Sequence, residues 1–416
     1  MLAHSPILPL TIDYIGEDGI TAEDEEGILL ALKQCDRLRH LRLVFPVRNL
    51  QKLVMAINEE FPILEYLIMH PPPKDNTAAS GLMMLPETLQ APHLSHLALS
   101  SFAYPIRSRL HPTTAGLVTL NLRIRCPSAY FQPNVLLQWI SFMPKLESLA
   151  IDFSFPVYNR DVERQLTHTP ITTHITLPNL RFFWLQGVIA YMEAVVCQIT
   201  TSHLENLRIG VLKQRTFSVP CLLQFMERTE NLRFNRAEMV FKDEGINVMY
   251  FRETNMYAFG IKVTSRHLDQ QVSSMAQISN ALNPVLSAVE HLTLRHNRSS
   301  EEHNDVDRIE WRNLLRPFSN VKTLRVKDGL VEELSRCLRL EDGELILELF
   351  PELQKLTYSE SRGTGDAFTS FIDARQNAGR PVTLVRRSPR RRHSKPSSGD
   401  PAITSASGEA GNDIDI

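Results

Sequence analysis

The sequence predicts an α/β solenoid in which short parallel strands alternate with helices, and three observations support this fold class. Hexamers of the form L-x-x-L-x-L recur along the chain, as at Leu38–Leu43 and Leu94–Leu99. Stretches with helical spacing of apolar residues separate the hexamers, and the hexamers return at a nearly regular interval. Because successive side chains of a strand point to opposite faces, the fourth and sixth hexamer positions would face one shared core.

The hexamers start fourteen units at steps of 23 to 35 residues, a spacing that indicates a repeat architecture. The units begin at Ile7, Leu38, Leu64, Leu94, Leu117, Leu146, Leu180, Leu204, Thr229, Thr254, Val289, Val321, Leu353 and Gly379. The units at Thr229, Thr254 and Gly379 keep an apolar residue only at the second and third key positions. We therefore predict one leucine-rich-repeat domain over residues 1–385, with 13 to 14 irregular repeats, a curved parallel sheet on its concave side and helices on its convex side.

The helices between the strands are predicted from apolar residues spaced three and four apart. The apolar stripes span residues 47–61, 135–143, 188–199 and 306–314. The clearest helix start is at Thr21, whose hydroxyl can cap a first turn that contains four acidic residues at 23–26. The pattern is therefore strand followed by helix, repeated along the chain.

Composition is typical of a globular chain, with 43% hydrophobic and 22% charged residues and a formal net charge of -2. Its apolar runs, such as Ile28–Leu32, are far shorter than the roughly 20 residues that a membrane-spanning helix needs. The cysteines form no C-x-x-C pair and are odd in number, at Cys35, Cys126, Cys197, Cys221 and Cys337. This pattern indicates reduced thiols and predicts an intracellular protein, either cytoplasmic or nuclear, with no membrane partner.

The C-terminal segment, residues 386–416, is predicted to be a disordered tail that is first basic and then acidic. Its basic run consists of Arg386, Arg387, Arg390, Arg391, Arg392 and Lys395. Such a run could act as a nuclear-localisation signal or bind nucleic acid, and the alternative is an ordinary solvated tail. We favour the solvated tail, and nucleic acid is not the partner that we predict.

The residue between the second and third key positions would line the concave surface of the solenoid. In order along the chain it is Arg42, Ile68, Ala98, Asn121, Ala150, Trp184, Arg208, Arg233, Ala258, Thr293, Arg325 and Thr357. Arginine and exposed aromatic side chains are common carriers of interface energy. We therefore predict a site for a protein partner with an acidic surface, formed by Arg42, Phe182, Trp184, Arg208, Arg233, Arg295, Arg325, Lys327 and Lys355.

A simpler interpretation of the same surface remains open. Polar residues occupy solvent-facing strand positions in any protein, and Trp184 or Phe182 could pack beneath a neighbouring loop. The basic character is also local, because the chain as a whole carries 45 Lys and Arg against 47 Asp and Glu. The prediction of a binding site depends on where the structure places these side chains.

Several phrases of the sequence resemble the leucine-rich-repeat region of fungal F-box/LRR-type proteins. They are Leu8–Tyr14, Asp36–Leu43, Leu85–Leu94 and Leu137–Pro144, and the resemblance covers residues 8–385. In that family an N-terminal F-box docks a Skp-type adaptor of a cullin ubiquitin ligase, and the repeats select the substrate. This chain begins almost inside its first repeat, and its nearest F-box-like fragments, Leu85–Glu87 and Trp311–Arg312, fall within the repeats. We therefore do not expect a Skp-type adaptor to bind.

Catalytic motifs are missing from the sequence, which contains no G-x-S-x-G elbow, no phosphate-binding loop and no H-E-x-x-H pair. His93 and His96 are three residues apart, but we interpret them as surface residues. We predict no enzyme activity, no cofactor and no metal site. The sequence favours a non-enzymatic protein-interaction scaffold, the substrate-recognition part of a ubiquitin-ligase-type protein without its F-box. The alternatives are a nuclear or nucleic-acid-associated protein that acts through its arginine-rich tail, and the non-functional product of a truncated reading frame.

Overall fold

The computed structural model of the chain describes residues 8–16, 19–72, 83–103, 111–125, 129–153, 173–212, 217–297, 306–327, 329–339, 349–359 and 367–387. Its first strands are β1 (Leu10–Ile15), β2 (Leu38–Val44), β3 (Tyr66–His70), β4 (Met83–Met84), β5 (His96–Ser100), β6 (Phe102–Ala103), β7 (Thr119–Ile124), β8 (Ser148–Phe153), β9 (Ile175–Thr176) and β10 (Phe182–Gly187). The remaining strands are β11 (Ile199–Thr200), β12 (Asn206–Val211), β13 (Arg236–Lys242), β14 (Gly245–Phe251), β15 (Tyr257–Thr264), β16 (His291–Asn297), β17 (Thr323–Val326), β18 (Lys355–Ser359) and β19 (Thr383–Arg387).

Helices separate many of these strands. They are α1 (Ala22–Leu32), α2 (Val47–Ala56), α3 (Pro133–Ile140), α4 (Ile189–Val196), α5 (Pro220–Arg228), α6 (Leu268–Ala281), α7 (Asn283–Leu286), α8 (Arg308–Leu315), α9 (Val331–Leu338) and α10 (Thr369–Asn377). Short 3-10 helices occupy His111–Gly116 and Glu230–Leu232. Each of the four apolar stripes in the sequence overlaps one of these helices, so those predictions are confirmed.

One large sheet of 15 strands dominates the molecule. The order across it is β1-β2-β3-β5-β7-β8-β10-β12-β15-β14-β13-β16-β17-β18-β19, and the sheet is open, with β1 and β19 at its edges. Neighbouring strands are parallel except in one place, where β14 runs antiparallel to both β13 and β15. The chain is therefore a mixed α/β protein. Most strands of the large sheet lie beside the sheet strand that precedes them along the chain.

The core lies on the face of the sheet that carries the fourth and sixth hexamer residues. Leu41 and Leu43 in β2 are 0% exposed, and Leu324 in β17 is equally buried. Helix residues such as Leu50 and Tyr191 belong to the same continuous core. Burial of each large apolar side chain contributes roughly 1.5–3 kcal/mol to stability. Because strand and helix residues share this core, their burial holds the helices against the sheet.

The start of α1 follows from its capping residue. The hydroxyl oxygen of Thr21 accepts a hydrogen bond from the Asp24 backbone N–H at 3.1 Å, and acidic side chains fill the first turn. The Asp24 carboxylate also accepts a hydrogen bond from the Tyr14 hydroxyl at 2.7 Å, which lowers the pKa of Asp24. The predicted cap is confirmed, and it ties α1 to the first strand.

A three-stranded segment interrupts the parallel order, and we name β13, β14 and β15 the antiparallel insert. A two-residue turn joins β13 to β14, with Lys242 paired to Gly245 across it. Gly245 has φ +158°, and a Cβ at this position would lie 2.1 Å from the Val263 carbonyl oxygen. Only glycine fits at this turn, because β15 passes directly beside it.

The last strand, β19, extends two residues beyond the predicted end of the repeat domain at residue 385. Arg386 and Arg387, which we predicted to begin the tail, instead end β19, where they pair with Tyr358 and Ser359 of β18. The prediction was wrong because backbone pairing with β18 continues past the last apolar residue. Arg390, Arg391, Arg392 and Lys395 of the basic run lie outside the described residues, as does the remainder of the predicted tail.

The cysteines at 35, 197 and 221 carry free thiols, Cys337 is buried in the core, and Cys126 lies outside the described residues. Within the described part of the chain, every helix is too short or too polar to cross a membrane.

Candidate functional site

Strand register brings one residue from each strand into a single row across the sheet. From β1 to β19 in sheet order the row is Asp13, Arg42, Ile68, Ala98, Asn121, Ala150, Trp184, Arg208, Gly260, Met249, Glu238, Thr293, Arg325, Thr357 and Val385. We name the face that carries this row the ladder face. It is opposite the core, because side chains alternate along each strand.

The hexamers predict most of this row, and Arg233 and Ala258 are the exceptions. Arg233 follows the 3-10 helix Glu230–Leu232 and precedes β13, so it lies outside the sheet. Thr229 is the first residue of that predicted hexamer. Its hydroxyl donates a hydrogen bond to the Phe225 carbonyl at 2.8 Å, which keeps Thr229 at the end of α5. The strand therefore begins later than predicted, and Glu238 takes the place in the row that we assigned to Arg233.

Ala258 is misplaced because β15 contains an irregularity in register. Tyr250 pairs with Phe259, whereas the next residue, Phe251, pairs with Tyr257, so Ala258 is the extra residue of a bulge. A bulge turns the residue beside it toward the other face. Tyr257, predicted to face the core as the fourth residue of its hexamer, accordingly lies on the ladder face with its ring 5.8 Å from that of Phe251. Gly260 occupies the row instead.

Tyr257 completes a cluster at the middle of the ladder face that we name the aromatic cluster. The Arg208 guanidinium carbon lies 5.3 Å from the ring centroid of Phe182, 5.7 Å from that of Trp184 and 4.7 Å from that of Tyr257. Each ring is within the range of a cation–π interaction. Three adjacent strands, β10, β12 and β15, thus supply one arginine and three aromatic side chains to a single patch.

A glycine allows this arrangement. A Cβ on Gly260 would lie 1.6 Å from the Tyr257 hydroxyl oxygen, so any larger residue would displace the tyrosine ring. Burial raises the pKa of Tyr257 to about 12, and the positive charge of Arg208 acts in the opposite direction. The Tyr257 hydroxyl is consequently neutral at physiological pH and can donate a hydrogen bond.

Two polar atoms of the aromatic cluster are buried and have no hydrogen-bond partner among the described residues. They are Nε1 of Trp184 and Nε of Arg208. Both atoms are donors only, and leaving a buried donor unpaired costs about 1–3 kcal/mol. The side chains that carry them are half-buried rather than enclosed. The cluster therefore combines apolar area with unused donor capacity.

A second group of charged side chains occupies the ladder face around β17, and we name Arg236, Arg295, Arg325 and Arg387 the arginine cluster. Arg295 Nη1 pairs with Glu238 Oε1 at 3.0 Å. Burial lowers the pKa of Arg325, and the positive charges of Arg387, Arg236 and Arg295 lower it further, while Glu238 opposes them. The predicted residues Lys327 and Lys355 flank this group, at the end of β17 and the start of β18.

The other end of the ladder face has a different electrostatic arrangement. Arg42 Nη1 lies 3.6 Å from Asp13 Oδ2, and Arg123 Nε lies 3.2 Å from Asp152 Oδ2. The ring of Tyr66 stacks on that of His96 at 4.0 Å, and burial lowers the pKa of His96. The charges near the N-terminus are therefore matched within the protein.

The structure brings the predicted site residues together in two groups rather than one. Phe182, Trp184 and Arg208 meet in the aromatic cluster, whereas Arg295 and Arg325 meet in the arginine cluster. Arg42 lies near the opposite edge of the sheet, apart from both groups. Four members of these groups were not among the predicted site residues: Tyr257, Arg236, Glu238 and Arg387. Alternation of apolar residues on both sides of Gly245 was the signal that could have revealed the hairpin carrying Arg236 and Glu238.

Two further observations bear on the interpretation of this site. Among the described residues, no three His, Cys, Asp or Glu side chains gather closely enough to hold a metal ion. No protein-family model and no curated protein sequence matches the chain. The site is therefore interpreted from its own geometry.

Proposed function

We propose that this protein is a non-enzymatic recognition module that binds an acidic segment of another protein on its ladder face. The observation that carries the proposal is the aromatic cluster, in which Phe182, Trp184 and Tyr257 surround Arg208 and two buried donors are unpaired. Tryptophan, tyrosine and arginine are the residues in which interface energy concentrates.

The charge around the aromatic cluster supports an acidic partner. The arginine cluster lies farther along the same face, and one carboxylate, that of Glu238, acts on it. The formal net charge of the chain is only -2, so this positive patch is a local feature. Opposite charge on a partner would guide it to the patch and fix its orientation.

We further infer that the sheet and its helices form a leucine-rich-repeat solenoid, with the ladder face on the concave side. What supports this is the near-regular spacing of the hexamers and the stepwise order of the strands on both sides of the antiparallel insert. In a solenoid each unit contacts its neighbours, and the inner surface presents one residue per unit to an extended partner. A row that runs across fifteen strands suits a peptide better than a small molecule.

Coupling to a ubiquitin ligase rests on the sequence resemblance alone. It is tested by asking whether a Skp-type adaptor co-purifies with the full chain. Recognition through the ladder face does not depend on that result.

Tryptophan fluorescence provides a direct test of recognition. The chain has three tryptophans, and Trp139 and Trp311 are only 3% and 1% exposed, so acrylamide quenching reports mainly on Trp184. The probes are a peptide of alternating glutamate and leucine and its glutamine counterpart. We expect the glutamate peptide to shield Trp184 and to bind at least tenfold more weakly to Trp184→Ala and Arg208→Ala, a loss typical of interface hot spots of about 1.4 kcal/mol or more.

A matched control is Phe142→Ala, which removes an aromatic side chain that is 47% exposed but lies just after α3, outside the ladder face. It should leave binding unchanged, as measured by fluorescence polarisation of labelled peptide. Equal binding of the glutamine peptide, or equal loss in Phe142→Ala, would refute an acidic partner at the aromatic cluster.

A further inference from the structure

Four arginines from four different strands converge on the ladder face at the arginine cluster. Arg325 stands in the row on β17, and Arg295 lies on the adjacent strand β16, two residues beyond the row. Arg387 lies two residues beyond the row on β19, whereas Arg236 lies two residues before it on β13. Arg236 also donates a hydrogen bond to Asn255 Oδ1 at 2.8 Å and lies over the ring of Phe251 at 5.6 Å. The sheet order therefore sets Arg325 between the other three.

The other three arginines act against the positive charge of Arg325. Burial is the first cause of the lowered pKa of Arg325, and the charges of Arg387, Arg236 and Arg295 act in the same direction. The carboxylate that opposes them belongs to Glu238, whose Oε1 is already 3.0 Å from Arg295 Nη1. Nε of Arg295 is buried and has no hydrogen-bond partner among the described residues. Among the described groups that act on the pKa of Arg325, the three arginines thus outnumber the single carboxylate, that of Glu238.

The other arginines of the ladder face show that this imbalance is not a general property of the surface. Arg42 is paired with Asp13 and Arg123 with Asp152, at 3.6 Å and 3.2 Å. Like charges held together without compensation weaken a fold, so their grouping indicates that an anion offsets them. The charge on that anion must be greater than one to balance the cluster.

We propose that the arginine cluster binds a single phosphate monoester carried by a side chain of a partner peptide. This inference rests on the proposed function, because it assigns the partner to the same ladder face. A phosphate monoester carries between -1.5 and -2 charges at neutral pH and has three acceptor oxygens. The planar fork of arginine matches those oxygens with paired hydrogen bonds, which lysine cannot provide. A lone carboxylate would balance only part of the charge.

The shape of the cluster favours one phosphate over a nucleic-acid backbone. Nucleic acid presents phosphates at a regular interval and is bound by a stripe of cations. Arg325 is the one cluster residue that stands in the row, and the row residues of β14, β18 and β19 are the uncharged Met249, Thr357 and Val385. Glu238 would also face a second phosphate. The positive charge therefore forms a patch around Arg325, with Lys327 and Lys355 beside it, and not a continuous stripe along the row.

The test uses the full chain and four probes in fluorescence polarisation and competition. They are a labelled peptide with one phosphoserine among neutral residues, its unphosphorylated twin, inorganic phosphate and a short single-stranded DNA. We expect the phosphopeptide to bind at least tenfold more tightly than its twin, and inorganic phosphate to compete with it. Arg325→Ala should weaken binding tenfold or more, and Arg325→Lys should restore only part of that loss.

Two variants make the test specific to this site. Arg123→Ala makes the same substitution at an arginine of the same face that is paired with Asp152 and lies outside the row, so it should leave phosphopeptide binding unchanged. Glu238→Gln removes the carboxylate that competes with phosphate, so it should tighten binding severalfold. A gain of affinity cannot result from a folding defect, and circular dichroism of each variant verifies the fold.

Three outcomes would overturn the inference. They are equal binding of the twin peptide, unchanged binding by Arg325→Ala, and tighter binding of DNA than of phosphopeptide with the same dependence on Arg325. If the glutamate peptide still requires Trp184 while phosphoserine gives no preference, the inference fails and the proposed function stands. Phosphopeptide binding that requires Arg325 but not Trp184 would support the phosphate site and count against the aromatic cluster.

Discussion

The two ends of the sheet share one core pattern and differ on the opposite face. The N-terminal region, residues 8–153, and the C-terminal region, residues 206–387, both bury paired apolar residues such as Leu149 and Leu324 at 0% exposure. On the ladder face the N-terminal region matches its arginines with Asp13 and Asp152. In the C-terminal region, three other arginines act on Arg325, and one carboxylate, that of Glu238, opposes them. Burial therefore sets the fold in both regions, whereas the residues between the buried ones make the regions chemically different.

The topology of the C-terminal region explains how it collects these charges. In the N-terminal region each strand of the large sheet contributes one residue to the row in chain order, whereas β4 and β6 form a separate two-stranded sheet. The antiparallel insert brings β13 beside β16, so Arg236 and Glu238 approach residues that lie more than fifty positions later in the chain. A departure from the strict repeat thus creates a grouping that regular stacking would not produce.

The largest expected effect tests what the two regions share. Leu149→Ala and Leu324→Ala each remove a fully buried leucine, so each should lower the free energy of unfolding by roughly 2–5 kcal/mol. Leu384→Ala, on β19, removes a side chain that is 38% exposed and should cost less than about 1 kcal/mol. Urea denaturation followed by circular dichroism measures all three. A cost for Leu384→Ala equal to that for Leu324→Ala would contradict the burial pattern.

A second prediction concerns the glycine beneath the aromatic cluster. Gly260→Ala places a Cβ 1.6 Å from the Tyr257 hydroxyl, so the ring must move, and the free energy of unfolding should fall by about 1–3 kcal/mol. In a Tyr257→Ala background the same substitution should cost little. Gly27→Ala, in α1, meets no atom within 4 Å and should stabilise the chain by roughly 0.5–1 kcal/mol. Thermal unfolding compares them, and identical costs of Gly260→Ala in both backgrounds would disprove the contact with Tyr257.

The charge difference between the regions gives a smaller effect. Glu238→Gln leaves the arginine cluster without its carboxylate and should lower the free energy of unfolding by about 1 kcal/mol at low salt. Asp13→Asn, at a pair in which both side chains are about half exposed, should have almost no effect. Urea titrations at increasing sodium chloride concentration should show the difference between the two variants shrinking. A difference that is independent of salt would indicate a packing effect instead.

The smallest effect is a pH dependence of the free energy of unfolding that arises from His96 in the N-terminal region. Burial lowers the pKa of His96, which the nearby Glu65 carboxylate partly opposes. Because the folded state favours the neutral imidazole, its contribution is complete above the ordinary histidine pKa near 6.5 and is lost as pH falls through the lowered value. His96→Gln should therefore reduce the loss of stability below pH 6.5, by less than about 1 kcal/mol in this half-exposed setting. An unchanged pH profile in urea unfolding would be inconsistent with this.

Local periodicity was sufficient to predict the buried residues and most of the row. Leu41, Leu43, Leu324 and Val326 are identified because strand alternation depends only on neighbouring residues. Arg233 and Tyr257 could not be placed in this way. Their positions depend on a 3-10 helix at the end of α5 and on a bulge at Ala258, which shift the register by small amounts. A shift of one residue moves a side chain to the other face.

The grouping of side chains from distant strands was beyond the sequence analysis. Arg236 and Arg325 are brought together by the reversed strand order of the antiparallel insert, which no local pattern specifies. The hydrogen bonds of Glu193 to the N–H groups of Cys221 and Leu222, at 2.7 Å and 2.9 Å, are a similar case, since they join α4 to α5 across separate units. Such contacts follow from the assembled fold and not from the spacing of residues along the chain.

The antiparallel insert also has a consequence for how the sheet can be assembled. After β12 the next strand in the chain, β13, belongs three places away, and the intervening positions are filled only when the chain folds back through β14 and β15. The sheet therefore cannot be extended past β12 by adding strands in chain order, because β15 and β14 must lie between β12 and β13. The number of strands in the insert also matters. The insert has three strands where a regular unit would have one, so the direction of the chain reverses twice and β16 runs in the same direction as β12, with its leucines in the core. An odd number of added strands would have reversed every strand that follows.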